Sequence, residues 1–279
     1  MIVGRKITKS IKKDHKKTMT PKNTILFLLF LISVFACNEA EDPLEPEPEP
    51  VEPVVLQYGT ISGTVTDAGT GNPIPGSMVI LMGREIETGV DGVYSFQDVL
   101  YGDTHNLIVR DPDYEYHGQS FVLNQQRLVI NIPLTPLKDP VLEIQEFFEN
   151  FSELLESVDT ENIEAVEKLF SETYVAADDD ATLFGVASGI IPENYADVNP
   201  AITQLFDEYT FLEFLFKDME MDVTHARKAA VTLRLDVNAR KGEEEDLREI
   251  KAGSKFEFRR EGREWKIVYW QLLEIDIRL

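Results

Sequence analysis

Gly262-Arg263-Glu264-Trp265-Lys266-Ile267-Val268-Tyr269-Trp270 is the stretch on which the carboxy-terminal half turns. Glu261-Gly262 supplies a turn, and Trp265 to Ile277 reads as a strand rich in β-branched and aromatic side chains. Successive strand side chains point to opposite faces, so adjacent Tyr269 and Trp270 must lie on opposite sides of the sheet. Upstream, Lys255 to Arg260 predicts the preceding strand. Val231, Leu233, Leu235 and Val237 alternate cleanly in another, and Phe214 to Val223 predicts a further one. Thr224-His225-Ala226-Arg227 then falls in a hairpin turn at the sheet edge, with His225 expected to be exposed. Lys241 to Asp246 (KGEEED) reads as a solvated hairpin loop.

Before these strands the period changes to that of a helix. Asp139 then Pro140 suits a helix start, with a side-chain acceptor at the cap and proline in the first turn. Ile144, Phe147, Phe148, Phe151, Leu154, Leu155 and Val158 follow at spacings of three and four, one apolar stripe. A second helix is expected to carry Ile163, Val166, Leu169 and Phe170, followed by a loop from Tyr174 to Asn199. A third helix is expected to carry Ile202, Leu205, Phe206, Tyr209 and Leu212. Helices followed by a meander place this half in α+β. Three helices, a four-strand meander and the closing G-x-x-W-K-I-V-x-W run resemble the NTF2-like (SnoaL-like) cone over residues 140–279. That resemblance implies a concave sheet partly covered by helices around an apolar pocket. Some members of the family are isomerases, cyclases or dehydratases, and many only bind. It implies that Trp265, Tyr269 and Trp270 line the pocket or fill the core, and that Tyr174 lies near the pocket mouth. It also allows a homodimer through the sheet.

Residues 58–135 have another pattern, of short alternating strands and turn clusters. Thr60 to Thr66 alternates, and Asp67 to Pro75 (DAGTGNPIP) is a turn cluster. Ser77 to Met82, Val93 to Phe96, Leu107 to Val109 and Leu128 to Ile132 follow as strands, and Asp91-Gly92 supplies a hairpin turn. Such spacing indicates a β-sandwich of about seven strands. Gly63-x-Val65-x-Asp67, Pro73-x-Pro75-Gly76, Thr88-x-x-Asp91-Gly92-x-Tyr94-x-Phe96 and Tyr101-Gly102 resemble the carboxypeptidase regulatory-like domain, a transthyretin-like sandwich. The resemblance implies a non-catalytic module, found with peptidases and in many surface proteins. No H-x-x-E or H-E-x-x-H run is present, so peptidase activity does not carry over. The fold class expected is therefore multi-domain: an all-β transthyretin-like sandwich followed by an α+β NTF2-like cone.

Catalytic members of the cone family need a titratable group inside the pocket with a partner that shifts its pKa. Tyr174 is a candidate base. Asp178-Asp179-Asp180 offers oxygen ligands for a cation, but a consecutive triplet points its side chains apart and reads as a solvated loop. His105 and His117 fall in sandwich loops without zinc-like spacing, and no Ser-His-Asp order, P-loop or dinucleotide glycine pattern is present. The sequence therefore predicts no catalytic set, no metal and no cofactor. It predicts a non-enzymatic binding protein for a glycan, a peptide, a small ligand or a partner protein. The alternatives are an NTF2-like enzyme acting on a small apolar substrate, and an accessory protein of a peptidase.

The amino terminus predicts where the protein sits. Ile25 to Ala36 (ILFLLFLISVFA) is a twelve-residue apolar run after a basic stretch. A membrane-spanning helix needs about 20 residues, so the run reads as a secretory signal. Cys37, the sole cysteine, follows Val34-Phe35-Ala36, which resembles the bacterial lipobox. That resemblance implies removal of residues 1–36 and acylation of Cys37, with Met1 or Met19 as the start. Asn38 is not the aspartate that retains some lipoproteins at the inner membrane, which favours the outer membrane. Residues 37–57 form the lipidated cysteine and a Glu/Pro-rich linker (NEAEDPLEPEPEPVEP from Asn38 to Pro53), extended because proline fixes φ and like charges repel. Acids just after the cysteine resemble signals that send lipoproteins to the cell surface. With one cysteine, both domains must fold without disulfides.

The whole chain carries 27 basic and 50 acidic residues, net −23. Eight of the basic residues and one of the acids lie in the first 36, leaving 19 against 49 and a net charge of −30. Such a surface repels phosphate backbones and excludes nucleic acid as a partner.

Overall fold

The computed structural model describes residues 55–176, 192–242 and 247–278. Cys37, most of the linker, the Asp178-Asp179-Asp180 triplet and most of the Lys241–Asp246 loop lie outside the described residues.

The first domain is a sandwich of two sheets. Tyr58–Asp67 (β1) is its central strand. Ile61, Val65 and Asp67 are buried at a period of two, the pattern of a strand with one face in a core. Val93–Leu100 (β4) pairs antiparallel with β1, whereas Arg127–Val129 (β7) and Ile132–Leu134 (β8) pair parallel with its other edge. The break between β7 and β8 falls opposite Gly63, where a Cβ would lie 1.8 Å from the Ile130 carbonyl oxygen. Only glycine allows that approach. The second sheet runs Arg84–Glu87 (β3), Met78–Leu81 (β2), Thr104–Arg110 (β5), His117–Val122 (β6). Ile61, Val79, Leu81, Phe96, Leu107 and Val109 fill the space between the sheets at 0% exposure, the tight interlock expected of two facing apolar surfaces. Asp91-Gly92 does not close a hairpin. β3 belongs to one sheet and β4 to the other, and the turn carries the chain across. Gly92 makes this crossing at φ +70, where a Cβ would meet the Val65 carbonyl at 2.5 Å.

The second domain begins with Pro140–Glu156 (α1), and the Asp139 carboxylate accepts the Val141 N–H as the cap. Ile144, Phe147, Phe148, Phe151 and Leu155 form its buried stripe. After a 3-10 turn at Thr160–Asn162, Ile163–Glu167 (α2) is only five residues long. Phe170–Ala176 (β9) follows, then Tyr195–Glu208 (α3), which opens with a capping box between Asn194 and Asp197. Phe211–His225 (β10), Lys228–Arg240 (β11), Arg248–Glu261 (β12) and Glu264–Arg278 (β13) form an antiparallel meander. β9 adds a parallel fifth strand beside β13, giving the order β10-β11-β12-β13-β9. Ala229, Val231, Leu233, Leu235, Val237 and Ala239 alternate inward along β11. Register shifts at Lys217/Glu220, Gly253/Ser254 and Glu257/Phe258 curl the sheet around the helices.

Several local expectations change. Leu169 and Phe170 are not helical, because α2 stops at Glu167 and Phe170 opens β9. Tyr174 is therefore a strand residue and not the first residue of a loop. Leu212 belongs to β10 and not to the third helix, since α3 ends at Glu208 with Tyr209 as its cap. His225 is half-buried, because its turn is seated against the sandwich, and neighbouring Ala226 is only 2% exposed. Burial holds the His225 imidazole below its ordinary pKa, and the Arg227 charge adds to that. His105 is a β5 residue at 5% exposure that donates from Nε2 to the Leu100 carbonyl at 2.8 Å, and His117 opens β6.

Candidate functional site

The interior of the curled sheet is lined by rings. Phe256 and Phe258 on β12, Trp270 on β13 and Phe170 on β9 face inward, and α1 contributes Phe147, Phe148 and Phe151. Phe256 stacks on Trp270 at 4.7 Å between centroids, and Phe170 meets Tyr174 edge-on at 5.0 Å. Phe216, half-buried on β10, closes the cluster at 4.8 Å from Phe148 and 5.6 Å from Phe151. Its offset and edge-to-face geometries are those aromatic rings prefer. A cleft of about 230 Å³ between α1 and β10 is lined in part by Phe148, Phe214, Phe216 and Met219.

Two hydroxyls interrupt the apolar lining. Tyr174 is 1% exposed and Ser254 is 0% exposed, and among the described residues neither side-chain oxygen has a hydrogen-bond partner. Tyr174 reaches the interior because β9 bulges: Phe170 pairs with Ile267, whereas Val175 pairs with Tyr269. Ser254 reaches it by alternation, since Ile250, Ala252, Ser254, Phe256 and Phe258 are all buried along β12. That alternation was legible in the sequence, and a serine inside an apolar run is the signal that would have found it. Burial pushes the Tyr174 phenol well above its ordinary pKa, and the nearby Tyr269 adds to the shift. A phenol so shifted stays protonated at neutral pH. It is available as a hydrogen-bond donor and is poorly suited to act as a general base. Among the described residues, the buried set of the cone holds no carboxylate and no imidazole.

The four candidate pocket residues are divided among three places. Tyr174 and Trp270 share the interior. Trp265 lines a separate cleft of about 480 Å³ with Phe147, Leu154 and Leu169, and its indole N–H donates to Glu143 at 3.2 Å. Tyr269 faces outward, with Lys255 Nζ 5.9 Å from its ring centroid. The outer face around it is charged and internally paired, as in Lys217–Asp236 at 2.8 Å and Lys255–Glu257 at 3.0 Å. Among the described residues no group of His, Cys, Asp or Glu is arranged to hold a metal ion.

A two-sheet sandwich leading into a curled, helix-covered sheet defines a chain of two domains, β-rich and then α+β. Residues 60–135 match the model of the carboxypeptidase regulatory-like domain, and residues 145–272 match that of the SnoaL-like domain. The chain carries the one followed by the other. Several solved structures are similar to about half of this chain. One is a candidate scytalone dehydratase from Novosphingobium aromaticivorans, with 11% identity and TM-score 0.41 over 49% of this chain and 85% of that one. Another is a type 2 hexachlorocyclohexane dehydrochlorinase, LinA, with 12% identity and TM-score 0.37 over 50% and 88%. A candidate dehydratase of the NTF2-like family from Streptomyces avermitilis has 14% identity and TM-score 0.36 over 48% and 94%. None of the curated proteins matches. The expectation that the chain is not an enzyme is corrected: the structures similar to about half of it include a dehydrochlorinase and two candidate dehydratases, at 11% to 14% identity.

Proposed function

We propose that the cone receives a small, largely aromatic or aliphatic molecule bearing a hydrogen-bond acceptor. The observation that carries this reading is the pair of hydroxyls, Tyr174 and Ser254, that have no partner among the described residues inside an otherwise apolar interior. A buried hydroxyl without a partner costs about 1–3 kcal/mol, and a carbonyl or ether oxygen of a ligand would remove that cost. The rings supply apolar contact, and the cleft lined by Phe148, Phe216 and Met219 lies at the edge of their cluster. Tyr174, kept protonated, polarises an acceptor on the ligand and does not abstract a proton from it.

Both tryptophans lie in the cone, so their fluorescence reports on it directly. Titration with a panel of aromatic ketones, ethers and alkylbenzenes is expected to give saturable quenching, strongest for the oxygen-bearing compounds. Tyr174→Phe and Ser254→Ala should each weaken those by about three- to tenfold while leaving alkylbenzenes unaffected. Quenching without saturation across the panel, or equal affinity in the variants, overturns the reading.

The same proposal places the molecule in the envelope. The leader through Ala36 is removed, Cys37 is acylated, and the acidic linker holds the folded part on the outer membrane, facing the exterior. Each buried methylene contributes about 0.8 kcal/mol, and more than one acyl chain gives a durable anchor without basic residues. Cys37→Ala is expected to move the protein into the soluble fraction of its native host. Shaving intact cells with protease separates the outward from the periplasmic orientation.

A further inference from the structure

We propose that one end of the sandwich is a receptor for the β10–β11 turn of the cone, which makes the two folds one cooperative body and the sandwich a rigid mount. The turn is not merely near the sandwich. Ala226 belongs to the sandwich core, with Ile61, Val65, Ile74 and Tyr114. Its N–H donates to Tyr114 Oη at 2.9 Å, and Tyr114 donates in turn to Asp67 Oδ2 at 2.8 Å. Asp67, 2% exposed, accepts the Gly69 and Thr70 N–H groups on its other oxygen. The Thr224 carbonyl accepts from Thr70 Oγ1 and from Asn72 Nδ2, both at 2.9 Å.

The charges are divided between the partners. The sandwich supplies Asp111 and Asp113, whose side chains are 0% and 6% exposed. The cations paired with them come from the cone. Arg227 donates to Asp111 at 2.6 Å and to the Pro75 carbonyl at 3.2 Å, and lies 3.5 Å from Asp113. Arg260, on β12, stands 3.7 Å from Asp113 and also pairs with Glu143 of α1. A buried carboxylate stripped of its cation is strongly unfavourable, so each half of this joint depends on the other. The connection between the domains is strapped as well. Glu115 N–H donates to Thr135 O at 2.8 Å and Leu137 N–H to Asp113 O at 2.9 Å, and Asp139 caps α1 two residues on. This inference is independent of the ligand reading.

Hydrogen exchange of the full chain, followed by mass spectrometry across a denaturant series, tests it. Peptides from β1 and β5 and peptides from β11 and β12 are expected to share one opening free energy. Arg227→Ala should accelerate exchange in both sets on the order of a hundredfold and open residues 136–139 to protease. Thr70→Ala with Asn72→Ala, which removes both bonds to Thr224 together with the Asn72 N–H to Thr70 Oγ1 bond inside the turn, should accelerate both sets about tenfold and decides the matter if Arg227→Ala fails to fold. Separate openings of the two domains in the parent, or acceleration confined to the turn in either variant, overturns the proposal.

Discussion

Tyr174 shows how one residue carries both the interest and the difficulty of the site. Its ring packs edge-on against Phe170, so the aromatic body belongs to the core, whereas its oxygen has no partner there. Removing only that oxygen should relieve a desolvation cost without leaving a cavity. Tyr174→Phe is therefore expected to raise unfolding stability by about 0.5–1 kcal/mol, and Ser254→Ala to be neutral or stabilising, as read by urea melts. Loss of stability in both variants would mean that the hydroxyls are structural and that the ligand reading has lost its basis. From sequence, Tyr174 was legible as a candidate but not as a buried one, because its strand has no clean alternation. Phe170 and Ser171 are both buried, then Glu172 and Thr173 are both exposed, which is the signature of a bulge and not of a regular strand.

At the scale of elements, helices with caps and strands with a period of two were legible, and edge elements were not. Asp139, Pro140 and the phenylalanine stripe announced α1 with its start, and Asp139→Ala is expected to cost about 1 kcal/mol in a thermal or urea melt. α2 and β9 were misread as one helix because Ile163, Val166, Leu169 and Phe170 keep helical spacing across a strand start. The parallel pairing with β13 overrides that local pattern. The free edge of β10 is managed by α1 in a way no local pattern reveals. Glu156 accepts the Phe214 N–H at 3.1 Å, and Ser152 donates to the Phe214 carbonyl. These side chains occupy backbone groups that would otherwise template pairing with another chain. Ser152→Ala with Glu156→Ala should cost about 1–3 kcal/mol and promote self-association visible by size-exclusion chromatography. A monomer of unchanged stability would refute that account of the edge.

At the scale of the whole molecule, the order of sandwich and cone was legible, but their union was not. The bond from Thr70 to Thr224 spans 154 residues, and nothing local to either turn announces the other. The union also distributes a shared liability to base. Tyr94 in the sandwich, Tyr114 at the joint and Tyr174 in the cone all have phenols raised from the ordinary value of 10.0, chiefly by burial. In the unfolded chain these phenols lose their protons near pH 10, while in the folded chain they keep them. Above that pH the unfolded state binds fewer protons than the native state, so stability falls as pH rises; below it these groups leave stability level. Urea midpoints should therefore hold steady up to about pH 9 and decline beyond about pH 10. If the joint makes one body of the two domains, the deeply buried phenols of both should ionise in a single slow phase. That phase should coincide with the loss of circular dichroism after a jump to high pH. Rapid ionisation of every phenol with the dichroism intact would show that burial does not hold these protons. Two separated phases would show that the domains part before they unfold.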